Sequence, residues 1–254
     1  MSAAVADAMV IMRRNLLRIP RAPDLLISFT VQPVMFVLLF VYVFGGAINT
    51  PGLEYVDFLM PGIITQTIAF GGFITAIGLN EDLKKGLIDR FRSLPMARSA
   101  VLAGRTLADL ATNALSVAVM LGVGFLVGFD FKTSVFEVVA GLALLLAFGY
   151  AFSWIFALIG LSSSSPESAQ ALGFLAVFPL TFASSAFVPV ESMPAAVEAF
   201  ANVNPFTIVV DAVRALFLGT PAGNSIWGAV AWTVGLIAVF APLAVAKYRS
   251  VSAS

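Results

Sequence analysis

VFEVVAGLALLLAFGYAFSWIFALIGL, residues 135–161, decides the fold class. It carries one charge, Glu137, close to its start. A helix crossing roughly 30 Å of hydrocarbon needs about 20 apolar residues, and this run exceeds that length. Five further stretches meet the requirement: Leu25–Phe44, Phe58–Leu79, Thr106–Phe129, Ala169–Val188 and Ile226–Val245. Pro33, Pro179 and the Gly71-Gly72 pair fall inside them. Neighbouring helices can satisfy the freed backbone groups, so these residues do not veto the spans. The expectation is an all-α integral membrane protein with six transmembrane helices in one domain, residues 1–254.

Composition agrees. Of 254 residues, 60% are hydrophobic and 11% charged, against roughly 25% charged in a soluble domain. The apolar excess must face lipid. Formal net charge is zero, which gives no reason to expect a nucleic-acid partner. There is neither cysteine nor histidine. Disulfides, thiolate or imidazole metal sites and Cys–His nucleophile pairs are therefore excluded. The first apolar run begins only at Leu25 and has no small-x-small cleavage site after it, so it reads as a retained signal anchor.

Lysine and arginine set the orientation. With the N-terminus inside, the cytoplasmic pieces hold Arg13, Arg14, Arg18, Arg21, Lys84, Lys85, Arg90, Arg92, Arg98, Arg105, Lys247 and Arg249. The outer pieces hold only Lys132 and Arg214, while the acidic residues divide evenly. Both termini are expected in the cytoplasm of a cell-membrane protein.

Three segments do not span. In residues 1–22, Val5, Met9, Met12 and Leu16 form one helical stripe, followed by Arg13, Arg14 and Arg18 and closed by Pro20 and Pro23. This suits an interfacial helix on the anionic cytoplasmic leaflet. In the connection 80–105, Leu83, Leu87, Phe91 and Leu94 form a second stripe. Glu81, Lys85, Asp89 and Arg92 supply charge pairs on its other faces, and Pro95 ends it. This predicts a short, stiff amphipathic helix on the inner face. In the outer segment 189–221, Ser192 is a candidate cap for a short helix with Pro194 in its first turn. Asn204-Pro205 breaks the chain, and Phe206–Leu218 is an apolar helix closed by Gly219 and Pro221. It is too short to span, so a re-entrant or interfacial pair is expected. Ser165 before Pro166-Glu167 marks another helix start.

No G-x-x-x-x-G-K-[ST] run exists, so the chain has no phosphate-binding loop of that kind. Asp109 is the most embedded carboxylate, with Arg105 one helical turn before it as the expected neutralising partner. Gln32, Gln66, Asn113, Thr65, Thr67, Ser153 and Trp154 lie inside spans. They can meet a polar substrate, although such residues more often tie helices together. Asp211 and Arg214, three apart, can pair with one another or line an exit path.

The run Gly86-Leu87-Ile88-Asp89-Arg90-Phe91-Arg92-Ser93-Leu94-Pro95, continuing through Arg98 to Gly104-Arg105, resembles the first cytoplasmic loop of ABC type-2 export permeases, closest to the daunorubicin-resistance branch. Leu59-Met60-Pro61-Gly62 resembles the start of that family's second span. Asn204-Pro205-Phe206-Thr207, with Asp211, Arg214 and Gly219, resembles its outer segment. The resemblance implies a permease subunit that works in a pair, homo- or heteromeric. Each copy would bind an ATPase subunit that carries ATP and magnesium, and no cofactor is expected in this chain. It implies ATPase coupling through Leu83, Lys84, Gly86, Leu87, Asp89, Arg90, Phe91, Arg92, Leu94 and Pro95, aided by the N-terminal helix. It implies export of a hydrophobic or amphipathic drug, lipid or glycolipid. Gln32, Gln66, Asn113, Asp211 and Arg214 are the translocation-path candidates. A polysaccharide exporter stays open as an alternative. So does a self-contained secondary transporter, which would depend on Asp109. No catalytic or metal-binding residue is expected.

Overall fold

The computed structural model describes residues 12–13, 31, 33–48, 50, 52–85 and 98–251. Every regular element among them is helical. In chain order these are α1 (Pro33–Phe44), α2 (Tyr55–Gly71), α3 (Phe73–Lys84), α4 (Arg98–Leu126), α5 (Val135–Ser162), α6 (Pro166–Phe182), α7 (Ala195–Val203), α8 (Pro205–Leu218) and α9 (Ser225–Val251). The last turn of α1, Phe40–Phe44, is a π-helix.

Among the described residues four helical stretches are long and apolar enough to cross a membrane: Tyr55–Lys84, Leu102–Leu126, Val135–Ser162 and Ser225–Ser250. A fifth exists if α7 and α8, bent by 69° at Asn204, are one broken span. The expected span 135–161 is matched by α5. Its start is fixed by a reciprocal cap in which Ser134 Oγ accepts from Glu137 N and the Glu137 carboxylate accepts from Ser134.

The other boundaries move for physical reasons. The span expected at 58–79 is part of a 30-residue helical stretch, Tyr55–Lys84, interrupted only at Gly72. At 1.5 Å per residue it is about 45 Å long and outreaches the hydrocarbon. Leu83 and Lys84 therefore belong to the last turn of α3, not to a separate helix. Helix α4 likewise begins at Arg98, so the connection expected over 80–105 shortens from both sides. Residues 86–97, with Gly86, Leu87, Asp89, Arg90, Phe91, Arg92, Leu94 and Pro95, lie outside the described residues, as do Arg14, Arg18 and Gln32; Arg13 is helical. The span expected at 106–129 ends at Leu126. There Gly128, at φ +102°, takes the left-handed turn and Phe129 N donates to Gly124 O at 2.9 Å.

The span expected at 169–188 stops at Phe182. Its start is as read: Ser165 caps α6 reciprocally with Ser168, and Pro166 stands in the first turn. Its end is set by Asn204, whose Nδ2 donates to Leu180 O and Ala183 O, both at 2.7 Å. Asn204 Oδ1 also accepts from Phe206 N and so caps α8. One side chain thus closes two helices. Ser192 caps nothing. Its hydroxyl turns back to Pro189 O at 2.7 Å, and Pro194 is the residue that precedes α7.

Helix α5 is the hub and packs against α2, α3, α4, α6, α8 and α9. Its Phe148 and Phe152 meet Phe206 of α8 at ring distances of 5.4 and 5.3 Å. Val209, Val210, Val213 and Phe217 of α8 are fully buried beside them. The short helix is thus a packed part of the core. Helix α6 is peripheral: only Ala169, Gly173, Val177 and Thr181, one residue per turn, are buried. Along it Phe174, Phe178, Phe182, Phe187 and then Phe40 of α1 stack in one file, with successive centroids 4.2 to 5.1 Å apart.

Candidate functional site

Two buried arginines organise opposite parts of the chemistry. The first is Arg105, on α4 just after the 86–97 connection. Its Nη1 donates to Asp82 of α3 at 3.0 Å, and its Nη2 donates to Ile74 O at 3.2 Å. Both side chains of the ion pair are about nine-tenths buried. Gly78 makes room: a Cβ there would fall 1.7 Å from Arg105 Nη2. The guanidinium therefore lies flat on the α3 backbone. Arg105 stays within electrostatic reach of Asp109, as its spacing predicts, but the ion pair it forms at 3.0 Å is the inter-helix one with Asp82. Asp109 instead accepts a hydrogen bond from Thr75 of α3. Asn80 adds a third tie, with Nδ2 donating to Gly160 O and Ser163 O of α5 at 3.2 and 2.6 Å. Glu81 and Lys85 pair on the exposed side at 3.1 Å, as their spacing predicts.

The second arginine is Arg214 of α8. Its Nη1 donates to Asp211 Oδ1 at 2.7 Å, so the two residues do pair. Its Nη2 also donates to Phe58 O at 2.9 Å and Ser185 O at 3.0 Å, and its guanidinium carbon lies 3.9 Å from the Phe58 ring centroid. It is 6% exposed and anchors α8 to α2 and to the turn after α6. Ser185 Oγ donates to Asp211 Oδ1 at 2.8 Å, and Ser185 N donates to Thr207 Oγ1. The far end of α8 is held too. Gly219 closes it at φ +72°, and Lys132 N and Thr133 Oγ1 donate to Phe217 O and Leu216 O. Lys132 also reaches Asp57 at 2.5 Å. The Asp57 carboxylate holds the Lys132 ammonium above the usual lysine pKa.

The span polar residues do less between helices than their type suggests. Thr65, Thr67 and Ser153 each donate to the carbonyl four residues back in their own helix, at 2.7, 2.8 and 3.2 Å. Gln66 and Asn113 are both buried. Asn113 sits at a junction of three helices, beside Gly71 of α2 and Gly149 of α5, with its Nδ2 unpartnered. Asp211 and Arg214 instead border a pocket of about 460 Å³ with Thr207, Asn202, Asn224 and Ser225. Neither Gln66 nor Asn113 lines it. Sequence reasoning missed Asp82, Ser185 and Lys132 as partners, since each pairs with a residue at least 23 positions away.

Long apolar helices around a buried hub define a polytopic membrane protein. Among the described residues no group of acidic side chains could hold a metal ion. Residues 7–218 match the model of the ABC-2 type transporter family, and the chain belongs to that family. It is 34% identical to the daunorubicin resistance ABC transporter permease protein DrrB1 of Streptomyces coeruleorubidus, over 98% of this chain and 88% of that protein. It is 27% identical to a Mycobacterium tuberculosis protein named "probable doxorubicin resistance ABC transporter permease protein DrrC", over 97% of this chain and 90% of the other.

Proposed function

We propose that this chain is the membrane half of an ATP-driven exporter, with ATP and magnesium on a separate ATPase subunit and a second permease completing the pore. The expected arrangement has six spans with both termini cytoplasmic. Residues 25–44 and helix α6, Pro166–Phe182, supply two of the crossings, and residues 189–221 re-enter on the outer side.

One observation carries the mechanism: the Asp82–Arg105 pair clamps together the two helices that flank the 86–97 connection. A partner pushing on that connection would move α3 and α4 as one arm. Gly72 interrupts the helix above the clamp, so the arm has a place to bend. A hydrophobic or amphipathic substrate fits the open file of phenylalanines along α6. Drug export is favoured over polysaccharide export by that file and by the drug-resistance names of both relatives.

The test is co-purification with an ATPase subunit, together with export by charge-reversal variants Asp89→Arg and Arg90→Glu. Lost export with intact membrane insertion supports the coupling role, and normal export overturns it. Asp109→Asn separates the rival. A secondary transporter would lose flux, whereas the ATP-driven permease keeps it.

A further inference from the structure

The pocket between α8 and the start of α9 is not accounted for by coupling or by packing. Its volume is about 460 Å³, and Asn202, Thr207, Asp211, Asn224 and Ser225 contribute polar edges. Its one outward charge is Asp211. The two hydrogen bonds that carboxylate accepts, from Arg214 and Ser185, both end on Oδ1. Oδ2 has no partner among the described residues, and the side chain is 42% exposed.

The countercharge also borders the pocket but is turned mostly inward. Arg214 is 7% exposed at its side chain, with Nε and Nη2 donating to Phe58 O and Ser185 O and its guanidinium carbon over the Phe58 ring. A guanidinium so occupied offers little to a solute. Glu191 lies within electrostatic reach of both Asp211 and Arg214. Two carboxylates therefore stand against one guanidinium here, a balance that favours cations. Ile208, Pro221 and Ala222 give the pocket its apolar lining.

We propose that this pocket binds an organic ammonium group, with Asp211 Oδ2 as its counter-ion and the alkyl remainder against Ile208 and Pro221. The source of the ammonium is either an exported cationic amphiphile or the headgroup of an aminophospholipid. A place for the site on an export route rests on the function proposed above. The binding itself does not.

The full chain, with any subunit that co-purifies, is placed in phosphatidylcholine nanodiscs and titrated calorimetrically without ATP. The probes are n-octylammonium chloride, n-octanol, sodium chloride and calcium chloride. Saturable octylammonium binding is expected, with Asp211→Asn weakening it at least tenfold and Asp211→Glu keeping it within about threefold. Octanol should only partition. Asn224→Trp, which crowds the pocket without touching the Asp211–Arg214 pair, should also abolish binding and covers the case of an unfolded Asp211→Asn. Loss of octylammonium binding in phosphatidylethanolamine discs assigns the ammonium to lipid, and retained binding assigns it to a solute. Equal binding by Asp211→Asn, saturable octanol binding, or calcium or sodium displacing octylammonium at millimolar concentration overturns the proposal. No binding while ATP-driven export persists removes the pocket and leaves the exporter. Normal export by the Asp89 and Arg90 variants removes the coupling reading and leaves the pocket.

Discussion

Arg105 and Arg214 are both buried, both bonded to a carboxylate and both laid against another helix's backbone carbonyl, yet they hold different kinds of structure. The Arg105 carboxylate is on another helix, 23 residues away, and the pair bridges α3 to α4. The Arg214 carboxylate is three residues away on its own helix, and the bridge is made by the carbonyls of Phe58 and Ser185. A side-chain pair between helices registers their relative motion. Hydrogen bonds to fixed carbonyls resist motion. The first arrangement suits a moving arm and the second an anchor.

The largest expected effect is at the anchor. Arg214→Leu removes the donors to two carbonyls, which should cost about 1–3 kcal/mol for each buried acceptor left unpaired, while Asp211, 42% exposed at its side chain, keeps water and Ser185. Thermal unfolding in detergent measures it. Arg214→Lys should recover only part, since a point charge cannot serve three acceptors in different directions. Exchanging the pair as Asp211→Arg with Arg214→Asp should rescue nothing, because the carbonyl acceptors stay where they are.

At the clamp the same exchange should behave differently. Arg105→Leu is expected to cost about 3 kcal/mol by removing the buried ion-pair partner of Asp82, and to reduce export more than ATP hydrolysis by the partner. Asp82→Arg with Arg105→Asp should restore a measurable share of export, because the link is mainly side chain to side chain. Equal failure of both exchanges would erase the distinction between arm and anchor.

How much of this could be read in the sequence follows from the range of the interactions. Helix α5, the Asn204-Pro205 break, the Gly219 cap, the Ser165 start and the Asp211–Arg214 pair all rest on neighbours within a few residues. Each was legible. Asp82 was not, since its partner lies across two helices and is reached only because Gly78 lacks a Cβ. The early end of α6 was hidden for a similar reason. Hydropathy continues to Val188, but Asn204 captures the carbonyls at 180 and 183. Burial of α8 depends on tertiary contacts with Phe148 and Phe152, which no local pattern encodes.

Gly78→Ala sharpens the clamp at smaller cost. The added methyl must displace a guanidinium pinned by Asp82 and Ile74, and overpacking of this kind costs about 1–3 kcal/mol. In an Arg105→Leu background, where no guanidinium occupies the space, the same change should be nearly silent. The non-additivity measures how much of the glycine's role is to seat that one side chain.

The last test is at Lys132, which joins the anchor's periphery through Asp57. The lysine side chain is 47% exposed but Asp57 only 4%, so Lys132→Met removes the cation from a buried carboxylate and should cost about 1–3 kcal/mol. Its pH dependence has a defined sign. The folded pKa is raised above the ordinary 10.5 by the Asp57 carboxylate. The stabilisation is therefore complete below 10.5 and is lost only as pH climbs through the elevated folded value. The gap between wild type and Lys132→Met should stay level from neutral pH up to the ordinary lysine value and close above it.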